Sequence, residues 1–158
     1  MNKFEKISAR QFAADLSDKC AYDDVKLPVR ATKNSAGYDF FAPFDFTLAA
    51  GESIKVPTGI RILLDDDKVL MIAPRSGLGF KYRLQLDNTL GVVDADYSGS
   101  DNEGHIFIKI TNDSKENKTL SVKKGEAFAQ GIIVQFFKTV DDEATKERNG
   151  GFGSTNGK

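Results

Sequence analysis

The stretch Gly91-Val92-Val93-Asp94-Ala95-Asp96-Tyr97-Ser98-Gly99 holds two acids two residues apart, with valines before them and a tyrosine after. In a regular strand, residues two apart share a face, which would make Asp94 and Asp96 neighbours. Like charges side by side seldom serve structure, so local backbone geometry is expected to turn one of them away. A carboxylate held against Val92 and Val93 suits a general base that takes a proton from water. Tyr97, on the opposite face of a regular strand, could pack flat against a sugar. The plainer alternative is a charged hairpin around a core tyrosine.

Four other short pieces could handle an anion or its counter-ion. Pro74-Arg75-Ser76-Gly77 follows the apolar run Val69 to Ala73. Proline ends the strand there, Gly77 permits a tight turn, and an arginine and a serine beside exposed amides suit an anionic oxygen. Ala36-Gly37-Tyr38-Asp39 delivers an acid into the next strand, where Asp39 either closes an Asx-type turn or orients the water shell of a divalent cation. No set of carboxylates has the spacing of an all-protein calcium loop. Gln130 precedes Gly131-Ile132-Ile133-Val134, so it either faces solvent or reaches a ligand. The tail, Arg148-Asn149-Gly150-Gly151-Phe152-Gly153-Ser154-Thr155, is poor material for a helix, a strand or a core. It offers a ring for a planar ligand, a fork of donors for an anion and amides open to phosphate. The same composition also fits an ordinary loose terminus.

The elements that must position these residues read as strands. Ile54 and Val56 alternate with polar neighbours, as do Ile60, Ile62 and Leu64, then Leu84 and Leu86, then Ile106, Ile108 and Ile110. Val69 to Ala73 is an unbroken apolar run, expected of a strand covered on both faces, and Ile132 to Phe137 is a further, largely apolar run. Turn signals fall between them at Gly51, Gly59, Asp65-Asp66-Asp67, Asn112-Asp113-Ser114 and Gly125. Short strands at this spacing predict an all-β sandwich, jelly roll or barrel. A short helix is expected near 8–16, with Ser8 as its cap and Phe12, Ala13 and Leu16 at helical spacing. His105 and the Asp101-Asn102-Glu103-Gly104 run before it read as a solvated loop. The division expected is a β domain over 1–138 and a C-terminal arm over 139–158.

Composition narrows the possible functions. The 158 residues suit one domain, with 40% hydrophobic and 28% charged content as in a soluble globular chain. A formal net charge of −1 gives no general attraction for nucleic acid or an anionic membrane. A polyanionic ligand would therefore need a local cluster. One cysteine, Cys20, and one histidine, His105, leave no intrachain disulfide and no Cys/His zinc set. With no signal-like or membrane-length apolar segment, a cytoplasmic location is expected.

Taken in order, Ala36-Gly37-Tyr38-Asp39, Pro74-Arg75-Ser76-Gly77, Gly91 to Tyr97, Gly125-Glu126-Ala127-Phe128-Ala129-Gln130 and Gly150 to Thr155 resemble the five motifs of the trimeric dUTP diphosphatases, from about residue 26 onward. The resemblance implies a distorted jelly-roll subunit of β-clip type, in a homotrimer whose sites draw on all three chains. It implies hydrolysis of dUTP to dUMP and pyrophosphate, with Mg²⁺ bound to the triphosphate. Residue by residue, it implies that Asp94 activates the attacking water and that Asn88 and the backbone of Gly91, Val92 and Val93 read uracil. Tyr97 would pack under the deoxyribose, excluding a 2′-hydroxyl. Arg75, Ser76, Gly77 and Gln130 would hold the phosphates, and Asp39 would meet the hydrated metal. From the tail, Phe152, followed by Gly153, would cover the uracil, while Arg148, Ser154 and Thr155 would bind the γ-phosphate.

Three departures accompany the match. Ala127 stands where the family usually has arginine, 100–105 reads as an insertion after the third motif, and Asn156 interrupts the usual ending. The related dCTP deaminases share the fold but need a glutamate base where this chain carries Asp94. A dUTP-binding regulatory module and a ligand-free structural jelly roll are the remaining classes.

Overall fold

The period of two becomes twelve short strands among residues 1–145, the part described by a computed structural model. In chain order they are β1 (Lys3–Lys6), β2 (Val29–Arg30), β3 (Tyr38–Phe41), β4 (Phe46–Leu48), β5 (Ser53–Pro57) and β6 (Ile60–Leu63). There follow β7 (Lys68–Pro74), β8 (Leu84–Leu86), β9 (Gly91–Asp94), β10 (Phe107–Asn112), β11 (Leu120–Val122) and β12 (Ala127–Gln135). Two helices, α1 (Ala9–Asp15) and α2 (Ser76–Tyr82), and 3-10 turns at Tyr22–Asp24 and Ala95–Gly99 complete the described chain. The strands pair antiparallel in four small sheets: β1-β6, β5-β10-β8, β11-β4 and the five-stranded β2-β3-β12-β7-β9. They enclose one core, in which Phe40, Phe128, Leu70, Ile72, Ile108 and Ile110 are almost fully buried. This is the all-β architecture that the alternation predicts, of the jelly-roll-like kind that the resemblance implies.

The helix at 8–16 forms as expected. The Ser8 side chain accepts from the Gln11 amide at 3.2 Å, and Phe12 and Leu16 turn into the core. Phe12 meets the Tyr22 ring edge-on at 5.3 Å. Strand β1 was not foreseen, because Lys3-Phe4-Glu5-Lys6 carries only one apolar residue. Phe4 supplies its anchor, packing on the rings of Tyr38 and Phe40 at 5.2 and 5.8 Å.

Four sequence expectations need correction. Gly77 does not make a tight turn: the chain enters α2 directly after Arg75, whose carbonyl accepts from Leu78 and Gly79 at 3.0 and 2.9 Å. Gly77 and Gly79 are weak helix formers and masked this element. Strand β7 is not covered on both faces, since Leu70 and Ile72 are buried while Val69, Met71 and Ala73 are only partly so. The stretch Gly91 to Gly99 is not a hairpin: β9 pairs with β7, and Ala95–Gly99 coils into a 3-10 turn instead of returning as a strand. His105 is not solvated but fully buried.

Candidate functional site

The register of the five-stranded sheet decides which candidate residues share a surface. Directly opposed residues of antiparallel strands point to the same face. One row across the sheet is Asp39, Gln130 and Ala73. The next row on that face is Ile132, Met71 and Val92, and the one after it is Val134, Val69 and Asp94. Asp39, Gln130 and Asp94 therefore lie on one face, with an apolar band between them. The opposite face, through Leu70, Ile72 and Val93, enters the core.

At the Gln130 end, two side chains are fixed by their partners. Asp39, mostly buried, forms an ion pair with Arg75, the residue that leads into α2. Gln130 donates from Nε2 to the Pro74 carbonyl at 3.1 Å. Its Oε1 lies so near Gly37 that a Cβ there would come within 2.5 Å. Glycine at 37 is thus what lets the Gln130 carboxamide sit beside the Arg75–Asp39 pair. Ser76 and Gly77 form the first turn of α2, where amides lack intrahelical acceptors. An arginine, two amides and a carboxamide thus meet at one corner, donor types able to hold an anion.

At the far end of this face, Asp94 closes β9 in an extended conformation, and the next residues coil into the 3-10 turn. Asp96 belongs to that turn, so the period-two rule does not carry from one acid to the other. Both nevertheless border one shallow hollow, together with Asp66, Phe136 and Lys138.

The remaining candidates meet in a cleft of about 420 Å³ between β8, β9 and β10. Asn88, Gly91, Val93 and Tyr97 line it, over a floor of Ile72, Leu86 and Ile108. Val92 points to the outer face, where it is half-exposed, so only its backbone faces the cleft side. Tyr97 is at once a core residue, 2% exposed, and part of the cleft wall. Its hydroxyl donates to the His105 carbonyl at 2.8 Å and accepts from Asn102 Nδ2 at 2.9 Å.

Sequence reasoning missed Asn102 and His105. The His105 ring accepts the Gly59 amide on Nε2 at 2.9 Å, and Nδ1 lies 2.6 Å from Asp15 Oδ2. With Nε2 an acceptor, the ring proton sits on Nδ1 and is donated to Asp15. Burial holds the imidazole pKa below its ordinary value, against the opposing pull of Asp15. The run Asp-Asn-Glu-Gly-His looks polar enough for solvent, and nothing local signals that helix α1 covers it. Arg148, Phe152, Gly153, Ser154 and Thr155 lie outside the described residues.

Two parts thus define the class: a jelly-roll-like β protein with a cleft and, apart from it, a corner of donor groups. A family model, dUTPase, matches residues 23–156, and the chain belongs to the dUTPase family. The deoxyuridine 5′-triphosphate nucleotidohydrolase of Lactococcus lactis is 39% identical over 134 residues, covering 83% of this chain and 88% of that protein. The protein of the same name from Hahella chejuensis is 40% identical over 146 residues, covering 87% and 91%. Among solved structures, the dUTPase from Streptococcus mutans superposes with a TM-score of 0.67 at 32% identity, covering 86% of this chain and 97% of that one. No helix among the described residues is long and apolar enough to cross a membrane.

Proposed function

We propose that this chain hydrolyses dUTP to dUMP and pyrophosphate in a homotrimer whose sites are each assembled from all three subunits. The observation that carries the shared site is the sheet register. Asp94 stands four residues along the strands and two strands across from Gln130. At about 3.3 Å per residue and about 4.8 Å per strand, that is roughly 16 Å, too far for both to serve one phosphorus atom. Between them lies the apolar band Val69, Met71, Val92, Ile132 and Val134, with Val92 46% and Val134 41% exposed. A second copy laid on this face would bury the band and bring one chain's Asp94 towards another chain's Arg75 and Gln130.

In this reading the cleft takes the nucleoside. Asn88 and the backbone of Gly91 to Val93 read the uracil edge, and Tyr97 lies under the deoxyribose. Arg75, Ser76, Gly77 and Gln130 hold the phosphate chain. Among the described residues, no group of three or more His, Cys, Asp or Glu could hold a metal ion. The lone Asp39, already paired with Arg75, fits an ion that arrives on the triphosphate, keeps its waters and is met through one of them. Bound Mg²⁺ would supply neutralisation of phosphate charge. Asp94 takes a proton from a water as its oxygen bonds to the α-phosphorus, and the bond from that phosphorus to the bridging oxygen breaks, releasing pyrophosphate. The arm over 139–158 closes the site: Phe152 and Gly153 lie over uracil, and Arg148, Ser154 and Thr155 bind the γ-phosphate. Closure excludes bulk water and aligns the attacking one. The reaction would limit uracil entry into DNA and supply dUMP.

Incubation with dUTP, dCTP and dTTP in Mg²⁺, assaying pyrophosphate and ammonia, tests the reading. Pyrophosphate from dUTP alone is expected. Ammonia from dCTP would make the chain a deaminase, and tight dUTP binding without turnover would make it a binding module.

A further inference from the structure

The segment 100–105 has no role in the chemistry above, yet it forms the wall behind Tyr97. Asn102 lines the cleft beside Tyr97, donates to its hydroxyl at 2.9 Å and accepts the Gly104 amide on Oδ1 at 3.1 Å. His105 accepts from that same hydroxyl through its carbonyl at 2.8 Å. The phenol is thus held from two directions by one short segment. That segment is pressed against the Tyr97 turn: Gly104 has φ +74°, and a Cβ there would lie 2.7 Å from Ser98 Cα and 2.9 Å from the Tyr97 carbonyl oxygen.

The segment is in turn braced by the first residues of the chain, which precede the family match at 23–156. Glu103 accepts from the Ser8 amide and hydroxyl at 2.8 and 2.6 Å, and Asp15 receives the His105 ring proton at 2.6 Å. Helix α1 therefore stiffens the wall from behind.

We propose that Asn102 is a positioning residue for sugar selection: by fixing the Tyr97 hydroxyl, it holds the ring where a 2′-hydroxyl would collide. The inference rests on reading the cleft as a deoxynucleoside pocket. Without the Asn102 donor, the ring gains freedom to tilt, and the floor under C2′ loosens.

The test compares kcat/KM for dUTP and UTP, with Mg²⁺ present, in the full-length protein and its Asn102→Ala, Tyr97→Phe and doubly substituted forms. Asn102→Ala should lower the dUTP-over-UTP ratio about three- to tenfold, the weight of one hydrogen bond. Tyr97→Phe, which loses the His105 bond as well, should lower it at least as far, and the double variant should fall no further than Tyr97→Phe alone. A purely structural Asn102 would lower the unfolding midpoint and both activities alike, leaving the ratio in place, and that result overturns the inference. So do additive effects, or a ratio that moves with Asn102 but not with Tyr97→Phe, since Asn102 would then act on the nucleotide directly. Asn102→Leu keeps the bulk but can neither donate to nor accept from the phenol, so it serves if the alanine variant misfolds. It should match Asn102→Ala in ratio, and a wild-type ratio there overturns the proposal. Tyr97→Ala separates the two levels: a ratio it leaves unmoved removes the sugar-pocket reading itself.

Discussion

Asp94 owes its position to where β9 stops. Its register opposite Val69 on β7 sets the outer face, and a slip of one residue would turn the side chain into the core. Asp94→Asn preserves shape but cannot accept a proton. Turnover should fall by on the order of 10² to 10⁴ while dUTP still binds, the usual range for a positioned base. Single-turnover kinetics beside equilibrium binding would show this, and near-normal turnover would move the base elsewhere, with Asp96 next in line. Gly37 tests the corner without substituting any residue assigned to it. A methyl group at Gly37→Ala comes within 2.5 Å of Gln130 Oε1 and must push the carboxamide aside. That should lower kcat/KM for dUTP about three- to tenfold, as for one displaced hydrogen bond, with little change in the unfolding midpoint. A lowered midpoint with unchanged kinetics would make Gln130 a brace for Pro74 and nothing more.

At the scale of elements, α1 and the buried His105 make stability depend on pH. Burial lowers the His105 pKa, so above its unfolded value of about 6.5 the folded and unfolded chains are both neutral there. As pH falls through that value, the unfolded state takes up the proton first, and the folded state loses relative stability. The charged groups facing the ring are Asp15, Glu103 and Lys55. The unfolding midpoint should therefore drop between about pH 7.5 and about pH 5.5, and drop less in His105→Gln, which cannot titrate. Equal drops in both proteins would place the sensitivity elsewhere. This same contact marks the limit of what the sequence reveals. Alternation at Ile54, Ile60, Ile106 and their neighbours was legible because a strand with one core face must alternate. The Ser8 cap was legible because capping is local. Helix α2 was hidden by its two glycines, and the α1–His105 contact was hidden because it joins residues 90 positions apart. Gly37 and Gln130 were both visible as motif residues, but their contact needs the β3–β12 register.

The whole molecule raises a question that no single chain answers, because its outer sheet face separates Asp94 from the corner that would hold the phosphates. If the arm completes a site on another subunit, a chain ending at Glu147 should still fold and assemble. It should bind a non-hydrolysable dUTP analogue more weakly and lose most of its turnover. Ordering backbone costs roughly 1–2 kcal/mol per residue, so closure must be driven by Phe152 stacking and phosphate contacts, and the truncated chain lacks both. Full-length Asp94→Asn should be inactive for the opposite reason, having the arm without the base. Mixing the two proteins under conditions that exchange subunits then distinguishes the arrangements. In a mixed trimer, a truncated chain supplies an intact Asp94 and a substituted chain supplies an intact arm. If the two elements serving one site come from different chains, some sites become complete and activity returns in proportion to exchange. If both come from the same chain, every site in every mixture lacks one of them. Mass spectrometry of the mixture would confirm that exchange occurred. Mixed trimers without recovered pyrophosphate release would show that each chain's arm closes over its own Asp94.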